Sequence, residues 1–483
     1  MGSVSQIKIT QLSVWNQMQF RDHITMALIF KTLPGTSQRE IEGHTAKVLD
    51  RVSIQRQDLA GRLILGGPSV SHPSHISLQT SPEYKIPFEV IGTECFPFSP
   101  GWTHKKLKSR AFPASCFLDP RLRLPRLEAS HPEAPVTAVK LCFLARGSGL
   151  VMLVYLHHSY GDGACMAEFL ELLGAASRDL AASPACMAPT PHDWEPRLKL
   201  ELPLSPGLRS QDFASLLSRC PEMQCFSDPP PSLSKPTTGR TFTLSRPRLL
   251  SFVSPALEPG ARGPSPFYLV AAFLWAWTTQ ARTIANHPST SSTTPPTLFN
   301  PNNWATKNLF SADPDVAEKI SNHFGNTVVS VTTTLPNPDV LFRATRDPHA
   351  LLKVAAAIAA ANDAVDEEFV LARAALFEKV EDAAALAVVL DPRPAWNFAV
   401  NTWAFVGKGV ELSGMPGVDG GGAPSAMRRV QAAWAGGPHG LVLPGRADRV
   451  KKGEVDVVVT LEEGAMAWLR KEEGFRGFVM KVT

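Results

Sequence analysis

Short uninterrupted apolar runs alternate along this chain with stripes of helical period, and their order predicts a mixed α/β protein. Residues 24–30 (ITMALIF) form an apolar run of strand length. Behind it, Ser37-Gln-Arg-Glu40 has the spacing of a capping box and predicts a helix to about Ile54. Val139, Leu141 and Phe143 alternate with other residues, Gly147-Ser-Gly149 supplies a turn, and residues 150–156 (LVMLVYL) have the length of a buried strand, which predicts a hairpin. Beyond it, Met166, Phe169, Leu170 and Leu173 fall at i, i+3, i+4 and i+7, the stripe of an amphipathic helix starting near Ala164.

Between Ser183 and about Gly239 the character changes. Pro184, Pro189, Pro191, Pro196, Pro203 and Pro206, then Pro229, Pro230, Pro231 and Pro236, interrupt regular elements, and the stretch reads as a crossover between domains. Past it, residues 265–282 predict a helix, 328–334 a strand, 349–363 an alanine-rich helix, 456–461 (DVVVTL) a strand and 462–472 a closing helix. Both halves mix strands and helices, so two α/β domains of similar size are expected: 1–190, a linker over 191–239, and 240–483.

Composition narrows the function classes. With 44% hydrophobic and 19% charged residues the chain is globular, and its net charge of +4 is too small for a polyanion-binding surface. The densest basic stretch, Lys105, Lys106, Lys108 and Arg110, has no interleaved aromatics and reads as a solvated face, so no nucleic-acid partner is expected. Seven cysteines, odd in number and without a C-x-x-C pair, predict reduced thiols. The segment Met1-Gly-Ser-Val-Ser-Gln6 has neither a secretory apolar core nor the Ser or Thr of a myristoylation motif, and no apolar window reaches the length of a membrane span. A cytoplasmic protein with no membrane partner is expected. The histidines show neither H-E-x-x-H nor a Cys/His set at zinc spacing, and no phosphate-cradling glycine motif is present, so no metal site is expected.

The chemistry concentrates at His157-His158-Ser159-Tyr160-Gly161-Asp162-Gly163, between the buried strand and the amphipathic helix. A strand end is rigid, so a histidine there can face a cleft while its neighbour points the other way, and imidazole suits proton transfer near neutral pH. A plainer reading has Asp162 capping the helix, the glycines serving the turn and both histidines as satisfied polar residues. The full H-H-x-x-x-D-G pattern, however, arises by chance in a chain this long only on the order of once in a thousand.

Here the sequence resembles the BAHD acyltransferases, in particular their fungal trichothecene acetyltransferase-like branch. Leu12-Ser-Val-Trp-Asn-Gln17 is similar to the family's L-S-x-x-D-Q, and Asp58-Leu-Ala-Gly-Arg-Leu63 to its P-x-L-A-G-R-L. Residues 265–282 resemble its helix ending in Ala-Arg, His323-Phe-Gly-Asn326 its Y-F-G-N, and Asn401-Thr-Trp403 its T-S-W strand. H-H-x-x-x-D-G alone also occurs in chloramphenicol acetyltransferase, carnitine acyltransferases and condensation domains; the flanking matches point to BAHD.

The resemblance implies two chloramphenicol-acetyltransferase-like α/β domains with an active-site channel between them, and a monomer. It implies O-acyl transfer from acyl-CoA, by analogy acetyl-CoA, to the hydroxyl of a small fungal-type secondary metabolite, with acyl-CoA as co-substrate and no permanently bound cofactor. His158 would be the general base and Asp162 would hold the turn, with His157, Gly163 and Asp419 structural near the site. Thr402 and Trp403 would line the pantetheine, the Thr402 hydroxyl as an oxyanion donor; a packed strand is the plainer alternative. Cys165 reads as a small packed hydrophobe.

Two departures stand out. The D-F-G-W-G signature is reduced to Val418-Asp-Gly-Gly-Gly-Ala423, and Phe299-Asn-Pro-Asn-Asn-Trp304 lies where relatives carry N-x-R-x-R. An arginine of that segment commonly pairs with the motif aspartate, so the partner of Asp162 stays open, Arg282 being one substitute that sequence does not place. Alternatives on the same fold are a cyclase or isomerase using His158 without CoA and a condensation-type enzyme fed by a carrier protein; a non-catalytic metabolite-binding protein is a further one.

Overall fold

A computed structural model describes residues 7–66, 72, 74–91, 101–182, 192–225, 233, 235–260, 263–286, 294–388, 390–407, 410–431, 437–445 and 450–483. The expectations for residues 1–6, Cys95, Cys186 and the prolines at 184, 189, 191 and 229–231 lie outside these.

The apolar run at residues 24–30 is the strand His23–Lys31, and the capping box opens the helix Gln38–Gln55, where Ser37 Oγ accepts from the Glu40 amide at 3.3 Å. The hairpin forms from Thr137–Phe143 and Gly149–His157, antiparallel in register, turning through left-handed backbone at Arg146 and Gly147. The strand Gly149–His157 is buried along its whole length because strands flank it on both edges in a five-stranded sheet. The sheet order is Ala426–Arg429, His23–Lys31, Gly149–His157, Thr137–Phe143, Phe88–Ile91, with a parallel pair only at the last edge. The helices Gln38–Gln55 and Gly163–Ala182 cover one face, contributing Ile41, Val48, Val52, Met166, Phe169 and Leu173 to the core there.

The second half builds a seven-stranded sheet in the order Val328–Thr334, Thr297–Asn303, Phe398–Thr402, His439–Val442, Glu454–Glu462, Thr237–Ser245, Val479–Val482. The helices Pro266–Asn286, Pro348–Asp363 and Glu463–Leu469 pack on it around Phe273, Trp275, Val354 and Met466. The closing helix ends at Leu469 rather than near 472, where its apolar stripe stops, and a separate turn of helix follows at Glu473–Arg476.

Two features depart from a simple division at the linker. The stretch 191–239 is not devoid of regular structure: the short helices Pro206–Arg209 and Phe213–Ser218 place Leu208 and Leu216 in a third core with Trp15, Trp304 and Leu376. The strand Ala426–Arg429 lies within 240–483 in sequence but pairs with His23–Lys31, so the second half reaches back to complete the first sheet. The buried Arg428 on this crossing strand donates to Asp456 of the seven-stranded sheet at 3.0 Å and to the carbonyls of Phe112 and Ala111, pinning the two sheets together. Among the described residues no helix is long and apolar enough to cross a membrane, and the cysteines Cys116, Cys142, Cys165, Cys220 and Cys225 are free.

Candidate active site

The strand Gly149–His157 ends where the motif begins. His157 is fully buried: its Nδ1 accepts from the Ser159 amide at 3.2 Å, and its ring lies edge-on to His23 with centroids 4.8 Å apart. Burial, with His23 and His158 nearby, holds its pKa well below the ordinary value, so it is a neutral strut. The turn is anchored by Tyr160, whose hydroxyl donates to Asp58 Oδ2 at 2.6 Å, while Arg56 grips the same carboxylate through Nε (2.9 Å) and Nη2 (2.7 Å). Gly161 is required by space, since a Cβ there would meet Cys165 Cβ at 2.6 Å. Cys165 itself is packed, its thiol donating to the Gly325 carbonyl at 3.3 Å.

Asp162 is buried, and all its bonds are to backbone amides. Oδ1 accepts from Ala164 (2.8 Å) and Cys165 (3.3 Å), capping the helix Gly163–Ala182, and Oδ2 accepts from Thr327 (3.3 Å) of the other half. Thr327 is held in turn by its hydroxyl on Asn303 Oδ1 at 2.9 Å and its carbonyl on the Trp304 amide at 3.0 Å. The segment that lacks the expected arginines thus braces the Thr327 amide that meets Asp162. Arg282 is not the partner: its guanidinium is buried on Glu462 (2.8 Å) and on the carbonyls of Pro392, Pro394, Ala395 and Asn397. Burial raises the Asp162 pKa, opposed by the three amides.

His158, next along, faces the other way. Its amide donates to the Asp22 carbonyl at 2.9 Å and its carbonyl accepts from Asn326 Nδ2 at 2.8 Å; Asn326 is itself tied to Asn16 Oδ1. Nδ1 is buried without a hydrogen-bond partner, and the His158 backbone and Asn326 side chain favour the protonated ring. Nε2 has no protein partner among the described residues and keeps contact with solvent. Desolvation lowers the His158 pKa, the nearby Asp162 opposes it and the Arg429 charge adds to it.

Arg429 retains exposed surface, yet surrounding protein desolvates its guanidinium and lowers its pKa. His439 is likewise only half-buried and is held down to about 4 by burial and by Arg429. Phe20, 70% exposed, stands edge-on to His158 at 5.9 Å. Arg429 and His439 border a small cavity between the sheets with Ala114, Leu441 and Val458. A surface cleft of about 390 Å³ between Arg62, Tyr84 and Glu133 lies elsewhere and holds none of the motif residues.

Thr402 closes the strand Phe398–Thr402, its hydroxyl oxygen accepting from the Ala404 amide at 3.2 Å, and Trp403 packs between the first core and Leu441, Leu443 and Val458. Gly163 abuts Phe405, which a Cβ there would approach to 3.2 Å. Asp419 is an exposed turn residue, capping Gly420–Gly422 and pairing with Lys31 at 2.6 Å, and that ion pair holds its carboxyl below the usual range. Sequence reading missed Arg429, His439 and Phe20, for which no local pattern distinguishes them from ordinary surface or core positions. Among the described residues no group of His, Cys, Asp or Glu is placed to hold a metal ion.

No family model matches the chain, and no curated protein matches it. Solved structures do. TRI101 of F. sporotrichioides, complexed with coenzyme A and T-2, superposes with a TM-score of 0.70 at 17% identity, covering 98% of this chain and 99% of that one. Vinorine synthase gives 0.58 at 14% identity, covering 98% of each chain. The first condensation domain of the calcium-dependent antibiotic synthetase gives 0.54 at 15%, covering 98% of this chain and 95% of its own. The chain has the two-domain, chloramphenicol-acetyltransferase-like α/β fold of these proteins, along its whole length.

Proposed function

We propose that the protein is a CoA-dependent O-acyltransferase, transferring an acyl group, acetyl by analogy with its structural neighbours, to a hydroxyl of a small secondary metabolite. One observation carries this reading: His158, on the turn that follows a core strand, presents an unpartnered Nε2 to solvent, in a fold whose trichothecene acetyltransferase example is complexed with coenzyme A. Nε2 takes the proton of the acceptor hydroxyl as its oxygen attacks the thioester carbonyl, and returns it to the departing CoA thiolate. Direct transfer needs no acyl-enzyme, which accords with a buried Cys165 whose thiol pKa is pushed well up by desolvation. The Thr402 oxygen accepts from Ala404, leaving its hydroxyl proton to donate to the tetrahedral oxyanion, with Trp403 as a wall for the pantetheine. Acyl-CoA is a co-substrate rather than a resident cofactor, and the enzyme acts as a monomer in the cytoplasm, where thiols stay reduced.

The reading is tested by calorimetric titration with acetyl-CoA, followed by mass spectrometry of metabolites incubated with enzyme and acetyl-CoA. Saturable binding at one site and an acetylated product are expected. A protein that ignores acetyl-CoA but converts a metabolite unaided would instead be a cyclase or isomerase, and one active only with an acyl-carrier donor a condensation-type enzyme.

The pH dependence has a definite sign. The base must be neutral, and burial holds the His158 pKa below the ordinary 6.5, with Asp162 pulling it up and Arg429 and the neutral His157 beside it. Log kcat/KM should therefore be flat near pH 7 and fall with unit slope only as the pH drops through a value under 6.5. An acid limb centred above 7 would contradict this environment for the base.

A further inference from the structure

Residues 324–327 of the second half lie along the histidine-motif turn and the start of the helix after it, and each of the four makes a contact there. The buried Phe324 ring lies 5.8 Å from that of Tyr160, and the Gly325 carbonyl accepts from the Cys165 thiol at 3.3 Å. Asn326 Nδ2 donates to the His158 carbonyl at 2.8 Å, and the Thr327 amide donates to Asp162 at 3.3 Å. The backbone that carries the His158 imidazole is therefore held from the second half. Charged side chains surround the first of these four residues. Arg56 and Arg197 bring their guanidinium carbons to 4.4 and 5.4 Å from the Phe324 ring centroid, within cation–π reach. Glu168, on the helix that follows the motif, joins the two arginines: Oε1 accepts from Arg56 Nη1 at 3.0 Å and from Arg197 Nη1 at 2.8 Å, and Oε2 accepts from Arg197 Nη2 at 2.9 Å. With Asp58 on Arg56, the guanidinium and carboxylate charges of the set balance.

Arg197 closes this set from the stretch between the domains. It lies on the turn Glu195–Leu198, and the approach of that stretch to Arg56 is fixed by the His192 amide, which donates to the Gln55 carbonyl at 2.9 Å. All three of its side-chain nitrogens are used. Two form the parallel pair on Glu168, and Nε donates at 2.9 Å to the carbonyl of Asn322, the last residue of the helix Pro314–Asn322, an end that favours a cation. Its own carbonyl accepts from the Phe324 amide at 2.8 Å. One side chain thus ties the helix behind the motif to the run that reaches His158 from the other half.

We infer that Arg197 is a positioning residue for His158: its guanidinium, clasped by Glu168, seats residues 324–327 on the motif turn and so fixes the backbone of the histidine through Asn326. Its importance for catalysis rests on the acyltransferase reading, but the seating of His158 does not need turnover.

The test applies hydrogen–deuterium exchange to the full-length Arg197→Ala protein and follows the titration of the His158 ring Cε1–H by NMR, its resonance assigned by its absence from His158→Ala. Amides within 324–328 should exchange about tenfold faster, with the remaining chain and the Tm near wild type. The His158 pKa, held below 6.5 chiefly by burial, should rise toward that value as water enters the loosened turn. The Arg197 side chain is 28% exposed, so free guanidinium ion at about 50 mM should enter the vacated place and restore both readings, which the same concentration of NaCl should not. A purely structural loss would instead be worsened by that denaturing ion. Arg197→Lys, with one ammonium in place of a planar fork, should recover only part, and Glu168→Gln should give the Arg197→Ala pattern more weakly. In turnover, kcat should fall about 3- to 30-fold while the KM for acetyl-CoA stays unchanged. A folded Arg197→Ala protein with wild-type exchange over 324–328 and an unmoved His158 titration overturns the inference. Loss of protection throughout the chain in both Arg197→Ala and Glu168→Gln overturns it equally. Readings that follow Arg197 in a protein that transfers no acyl group would count against the acyltransferase reading alone.

Discussion

His158→Ala should lower kcat/KM for acyl transfer about 10²- to 10⁴-fold, roughly 3 to 5 kcal/mol of transition-state stabilisation. The loss should fall on kcat, because the ring makes no hydrogen bond that holds the turn: its backbone amide and carbonyl do that work, on Asp22 and Asn326, and survive the substitution. The melting temperature and the calorimetric affinity for acetyl-CoA should consequently stay near those of the unaltered protein. Removing the ring also leaves no unpaired partner, since its Nδ1 already lacks one. Turnover by His158→Ala within a few-fold of wild type would remove the base from its assignment, and loss of folding would show that the ring is structural.

Asp162→Ala should act in the opposite way, chiefly on stability. It strips the acceptor from three amides, those of Ala164, Cys165 and Thr327, and so uncaps the helix Gly163–Ala182 and cuts one tie between the two halves. Losing a cap together with a buried acceptor costs roughly 2 to 4 kcal/mol, a fall in Tm on the order of 10 °C for a domain of this size. Asp162→Asn separates this role from a charge acting on the imidazole. The amide oxygen still accepts, so a positioning residue should tolerate it with about tenfold loss of kcat or less. A carboxylate orienting a catalytic histidine, as in a serine-protease triad, would instead lose about 10⁴-fold. The structure bears on the choice: both Asp162 oxygens are occupied by backbone amides, and no hydrogen bond joins Asp162 to His158.

Local pattern alone determined a good deal of this protein. The buried run at residues 150–156, the capping box at Ser37 and the stripe from Met166 to Leu173 each name their element, because side-chain period and capping chemistry operate over a few residues. The same short range put His158 and Asp162 on a strand-turn-helix corner. What tertiary structure decided lies between segments far apart in the chain. Arg282 was a reasonable partner for Asp162 by residue type, yet it is locked on Glu462, and the amide of Thr327, braced by Asn303, takes the place. Nothing in sequence spacing reports which amide meets a carboxylate 165 residues away. The strand Ala426–Arg429 belongs by order to the second half and by hydrogen bonding to the first, and only that crossing turns Arg428 into a buried pin and leaves Arg429 exposed. Two adjacent arginines are alike as letters; the face of the sheet each one meets separates them, and a strand's partners are set by the packing of the whole chain.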